Sequence, residues 1–191
     1  LARRCLNAGA FVTIAHPHWY NLTVEDARTL GDVHAVEVYN HTCAIHAGRG
    51  EGDYFWDALL SEGRGVTGIA VDDSHFPDGG FDGFGGWVMV KAQENNPDAL
   101  LEALKVGRFY ASQGPRIDDV IVDGEEIVLA CSPAVRVFAV GPGALARRVE
   151  GTALRQARLP LAPFKEDWFR LIVCDAQGRR AWSNPHWPKG R

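Results

Sequence analysis

The order of apolar and polar positions changes character once along the chain. Up to about Gln113, short apolar runs alternate with stretches of helical period. Phe11–Ala15, Ala35–Tyr39, Val66–Val71, Trp87–Val90 and Phe109–Ser112 read as strands, and Leu1–Ala10, Thr23–Leu30, Tyr54–Glu62 and Pro97–Val106 as helices. Thr23 is the expected N-cap of its helix, with Asp26 at the third helical position completing a reciprocal capping pair. Pro97 stands near the start of the last helix, where its missing N–H would have had no partner anyway. Brief apolar strands separated by helices imply a buried, mainly parallel sheet.

After Gly114-Pro115 the helical rhythm stops. Val120–Val122, Asp123-Gly124 and Ile127–Ala130 spell a hairpin, because Asp-Gly suits a two-residue turn. Val135–Val140, Ala153–Leu159 and Phe169–Cys174 are further strands, Asp175–Gly178 is a turn, and the aromatic tail Ala181–Trp187 is expected to pack. The pattern predicts two domains: an α/β domain over 1–115 and a small all-β, sandwich-like module over 116–191.

Composition narrows the function classes. The 191 residues are 46% hydrophobic, enough for a substantial core. Twenty Lys+Arg face 24 Asp+Glu and no basic run interrupts them, which argues against nucleic-acid binding driven by phosphate neutralisation. No apolar run approaches the roughly 18 residues of a membrane span, so the cytoplasm is the default compartment, with a lost leader left open. Cys5, Cys43, Cys131 and Cys174 are too scattered for a zinc ribbon; Cys131 and Cys174 read as buried thiols or as a bridge to each other. Leu1 is not an initiator Met, and the first helix lacks a cap, so residue 1 reads as a truncation point. Nothing in the pattern specifies an oligomer.

Chemistry collects where strands end, the usual place for catalytic groups in parallel β/α folds. Three successive strands run out into Ala15-His16-Pro17-His18, Glu37-Val38-Tyr39-Asn40-His41 and Asp72-Asp73-Ser74-His75. Strand alternation puts Asp73 and His75 on one face. Imidazoles with carboxylates are the common ligands of zinc, iron and manganese hydrolases, which makes His16, Asp73 and His75 the candidate metal ligands. Glu37 is a weaker fourth: a ligand, a group supporting the ligands from behind, or a partner for a basic residue. His18 and Asn40 are placed to touch substrate or to support ligands, while His41 and Arg49 are candidates for neutralising a substrate phosphate. His41 and His46 are read in a long loop, lining the site or solvated. His34 and His186 read as outside it. Gly79–Gly86 follows His75 and is a candidate lid. The chain has no GxSxG, HExxH or GxxxxGK[ST].

Ala15-His16-Pro17, Glu37-Val38-Tyr39-Asn40 and Asp73-Ser74-His75, in that order, resemble the later motifs of the PHP (polymerase and histidinol phosphatase) superfamily, above all its CehA/McbA-type metallohydrolases. Gly85-Gly86-Trp87-Val88, the stretch Gly107–Pro115 and Cys131-Ser132-Pro133 extend the resemblance. It implies the C-terminal part of a distorted β/α barrel, two or three divalent metals (Zn, Mn or Fe) in the whole protein, and hydrolysis of a small-molecule ester, most simply a phosphoester. It also implies His16, Asp73 and His75 as ligands, with Asp73 and His75 assisting catalysis. The family's opening His-x-His motif has no counterpart here, so this chain is expected to bind metal weakly and to turn over little by itself. The alternative is non-catalytic: a degenerate barrel whose β module binds a partner or glycan through Trp168, Trp182 and Trp187.

Overall fold

A computed structural model describes residues 1–76 and 81–190. The chain divides into two compact units, Leu1–Ala111 and Ser112–Arg191, a division just ahead of the expected one at Pro115.

In the first unit the order is α1 (Ala2–Asn7), β1 (Thr13–Ile14), α2 (Val24–Arg28), β2 (Ala35–Asn40), α3 (His41–Ala47), α4 (Asp53–Ser61), β3 (Thr67–Val71), β4 (Trp87–Val90), α5 (Pro97–Lys105) and β5 (Phe109–Ser112), whose last residue opens the second unit. Local chemistry explains where the helices begin. Thr23 and Asp26 form the reciprocal capping pair at α2. Asn40 caps α3 and Asn96 caps α5, each accepting a backbone N–H three residues on. The apolar stripe of α4 buries Phe55, Trp56, Leu59 and Leu60. Trp56 donates its indole N–H to the Val66 carbonyl at 2.9 Å, and its ring lies so close to Gly68 in β3 that a Cβ there would sit 2.5 Å away. Only glycine admits that packing, which fixes α4 against the sheet.

Strands β1, β2 and β3 pair in parallel in that order. Every residue of β2 is buried, which is why its sequence shows no inside–outside alternation. Around Ala35, Ile69 and Phe109 a core gathers Phe11, Val71, Val88, Val90 and Leu104.

The second unit contains β6 (Ile117–Asp123), β7 (Glu126–Val140), β8 (Ala146–Pro160), a 3-10 turn at Ala162–Phe164, β9 (Arg170–Cys174) and β10 (Arg180–Trp182). Strand β7 organises it. Its first half pairs with β6 and β8, and its second half with β8 and β9. Between Ala130 and Arg136 the register shifts twice against β8. One irregularity holds Pro133, which has no N–H to give a ladder, and the other holds Ala153 at φ +53°. Trp168, Phe169, Leu171, Val173 and Trp182 are completely buried here.

These pairings correct the expected fold class. The described residues are mostly β, 37% strand against 21% helix, and no β/α barrel is formed. Parallel pairing is confined to β1–β3, while the other seven strands are antiparallel. The second unit is not a sandwich of two sheets either, since β6, β8 and β9 all share β7. Periodicity had placed most strands, though it split β7 in two, missed the first half of β8 and passed over β10; it carries no information about which neighbour a strand takes. All four cysteines are free. No helix among the described residues is long and apolar enough to cross a membrane.

Candidate functional site

The carboxyl ends of β1, β2 and β3 converge on a cavity of about 400 Å³ lined by His16, Trp19, Tyr20, Thr42, Cys43, His46, Asp73 and His75. His16 leaves β1 in a left-handed conformation, φ +26°, and Asp73 leaves β3 at φ +53°. Non-glycine residues there cost roughly 1–3 kcal/mol and persist only when their surroundings impose it. At His16 the constraint is visible: its backbone N–H donates to Glu37 Oε2 at 2.6 Å. Among the described residues its buried ring Nδ1 has no hydrogen-bond partner.

Behind the cavity runs a buried polar chain. Asn40, 1% exposed, donates from Nδ2 to Glu37 Oε2 at 3.0 Å and to Asp73 Oδ2 at 3.1 Å. Its Oδ1 accepts the Cys43 N–H at 2.9 Å. One amide therefore ties the ends of β2 and β3 to the first turn of α3. Burial pushes the Glu37 carboxyl above its usual range, and the nearby Asp73 charge adds to the rise; the bonds from Asn40 and from His16 N–H, with the His16 charge, oppose it. Burial likewise pushes the Cys43 thiol up, helped by Asp73 and Glu37.

Two further carboxylates hold the chain that follows β3. Asp82 accepts from Ser74 Oγ at 2.5 Å, His75 N–H at 2.7 Å and Phe76 N–H at 3.2 Å. The His75 amide and Ser74 hydroxyl together lower its carboxyl to about 2. In the reverse direction, Asp72 accepts from Phe84 and Gly85 N–H, each at 2.7 Å, and from Gly86 N–H at 2.9 Å. A Cβ on Gly85 would overlap the His41 ring at 2.1 Å, so glycine is required for this closure. The expected lid over Gly79–Gly86 is thus latched over its described part, 81–86; Gly79 and Gly80 lie outside the described residues.

Of the residues singled out from sequence, His16, Asp73 and His75 line the cavity together. Glu37 and Asn40 lie behind it, hydrogen-bonded to its walls. His18 is exposed and does not line it. Nor does His41, whose Nδ1 is 2.9 Å from the Tyr39 hydroxyl; the Arg49 side chain reaches the Trp19 carbonyl, at 3.4 Å. His34 accepts the Val12 N–H at 3.0 Å and stacks on Phe11. His186 stacks on Phe169, and burial lowers its pKa. Helix α3 replaces the expected loop over His41 and His46, and through it Thr42, Cys43 and His46 reach the cavity. The signal was present: Asn40 as a cap and Gly48 as a stop bracket one short helix. The latching roles of Asp72 and Asp82 had no local signal.

The donors suit a borderline cation, because imidazole, carboxylate and thiol share one cavity and His16 Nδ1 has no hydrogen-bond partner among the described residues. Among the described residues, no three His, Cys, Asp or Glu side chains already stand close enough to share one ion. An ion entering here has to draw its ligands together. No family model, curated protein or solved structure matches the chain.

Proposed function

We propose that the protein is a metal-dependent hydrolase of the phosphoesterase class, with His16, Asp73 and His75 as ligands to a divalent cation. The observation that carries this reading is that His16, whose buried Nδ1 has no partner among the described residues, lines one cavity with Asp73 and His75. An orphaned polar atom in an otherwise satisfied network asks for a partner. The likeness of the His16, Glu37–Asn40 and Asp73–His75 stretches to metallohydrolase motifs supports the same reading.

A bound cation supplies Lewis-acid polarisation of the ester and a more acidic water at neutral pH. The chain's own residues do the rest. Glu37, through the His16 amide, holds the strained turn that aims the imidazole. Asn40 holds Asp73 with one carboxylate oxygen engaged and the other free of that bond. Asp82 fixes His75 through its backbone, leaving the ring available. Trp19 and Tyr20, 41% and 66% exposed, stand at the mouth where a substrate enters. In the non-catalytic alternative the tryptophans of the second unit contact a glycan, but Trp168 and Trp182 have no exposed surface to offer.

The test is metal content and turnover measured on the same preparation. The parent chain, with its weak binding and slow turnover, is expected to take up zinc, manganese or iron added in excess and to hydrolyse a nitrophenyl phosphoester slowly and in a chelator-sensitive way. A His16→Ala/Asp73→Ala double variant loses both. A parent that holds no metal and hydrolyses no ester above the double variant overturns the proposal.

A further inference from the structure

We infer that helix α3 supplies two additional ligands to this cavity, the Cys43 thiol and the His46 imidazole, and that they make it select zinc over manganese. The inference rests on the metal-site reading above. Cys43 and His46 are three residues apart on α3, so their side chains leave the same helix face, and both line the cavity reached by His16, Asp73 and His75. Cys43 is only 4% exposed, and what it is buried against is unusual for a structural thiol.

A buried cysteine ordinarily behaves as a small hydrophobe. Cys131 fits that description, set in β7 with its Sγ 3.8 Å from the Leu154 carbonyl. Cys43 instead shares its wall with three imidazoles and a carboxylate. Its place relative to Asp73 is fixed by a single residue, since Asn40 accepts the Cys43 N–H and donates to the Asp73 carboxylate. His16, whose buried Nδ1 has no hydrogen-bond partner among the described residues, lines the same cavity and offers it a further donor. Thiolate and imidazole together favour zinc, whereas manganese prefers oxygen ligands. On binding, the Cys43 S–H bond breaks, sulfur keeps the electron pair as ligand, and the proton passes to bulk buffer.

Titration of the chain with cobalt(II) chloride, and separately with zinc and manganese chlorides, tests this directly. Parent protein is expected to develop a near-ultraviolet thiolate-to-cobalt absorption that is missing from Cys43→Ser. Zinc affinity should fall at least about tenfold in both Cys43→Ser and His46→Ala, with manganese affinity changing much less. Circular dichroism and thermal melting check folding, and Cys43→Ala carries the test if the serine variant does not fold. Cobalt bound to the parent without that absorption overturns the role of Cys43 and leaves the hydrolase reading standing. Absorption that persists in Cys43→Ser overturns it too, by moving the ligand to another cysteine. A parent that binds neither cobalt nor zinc overturns both this inference and the metal reading beneath it.

Discussion

The two units handle buried polarity in opposite ways. In the second, the buried Asp175 and Ser183 close on near neighbours within a turn or an adjacent strand. Asp175 accepts the N–H groups of Gln177 and Arg179 and the Arg179 Nε, all within its own turn. Ser183 accepts the Leu171 N–H and donates to the Asn184 carbonyl. The Trp168 indole, buried without a partner among the described residues, is sealed in a residue with no exposure. In the first unit Glu37, Asn40 and Asp73 join segments far apart in sequence, and His16, whose buried Nδ1 has no partner among the described residues, lines a cavity. Buried polar groups are costly unless paired. A local closure solves that problem for the fold alone, whereas a long-range network bordering a cavity with strained residues is where function is to be sought.

The comparison can be broken at its apolar end first. Phe169, completely buried between Phe164 and His186, should cost about 3–5 kcal/mol when replaced by Ala. Urea unfolding measures that loss, and the zinc affinity of the cavity should be unmoved. For His16→Ala/Asp73→Ala the order reverses: zinc affinity should drop at least about 100-fold, about 2.7 kcal/mol, while stability falls by no more than the roughly 1–3 kcal/mol of a lost acceptor for Asn40. Equal losses of stability in both experiments would erase the distinction between the units.

Glu37 sharpens it. Glu37→Ala leaves the His16 N–H and one bond of Asn40 unanswered and should cost about 1–3 kcal/mol in denaturant unfolding. Glu37→Gln keeps an acceptor and should cost less. Because burial raises the folded pKa of Glu37, its contribution is fully present at low pH and is lost as pH rises through that value. The Gln variant should lack this dependence. Asp82 has the opposite sign. Its folded value of about 2 lies below the unfolded one, so it stabilises above roughly pH 4 and that support fades as pH falls toward 2. Acid unfolding followed by tryptophan fluorescence should be shallower in this range for Asp82→Asn. The smallest effect is expected at Arg155, an exposed position in β8: Arg155→Ala should stay within about 0.5 kcal/mol of the parent.

Much of this was legible in the sequence, and the division is instructive. Strand and helix positions were readable because period and capping are local: Thr23 with Asp26, and Pro97 after Asn96, mark helix starts without reference to the rest of the chain. That His16, Asp73 and His75 would lie near one another was readable because the ends of successive parallel strands lie side by side. The pairing of the strands was not, since the same alternation of elements serves a closed barrel and a three-stranded parallel sheet equally well. Helix α3 was hidden by its brevity, seven residues from His41 to Ala47, which is too short for a periodic signal. Asp72 and Asp82 latch amides up to 14 residues away, a relation that exists only once the chain has turned.

The central claim, that the strand-end cavity is a metal site, is tested most directly by anomalous diffraction from crystals of the chain grown with zinc. The expected result is a zinc peak in the cavity within bonding distance of His16 Nδ1, with Asp73 and His75 drawn toward it. A cavity without a peak, or zinc found only at His34 or His186, would contradict the account.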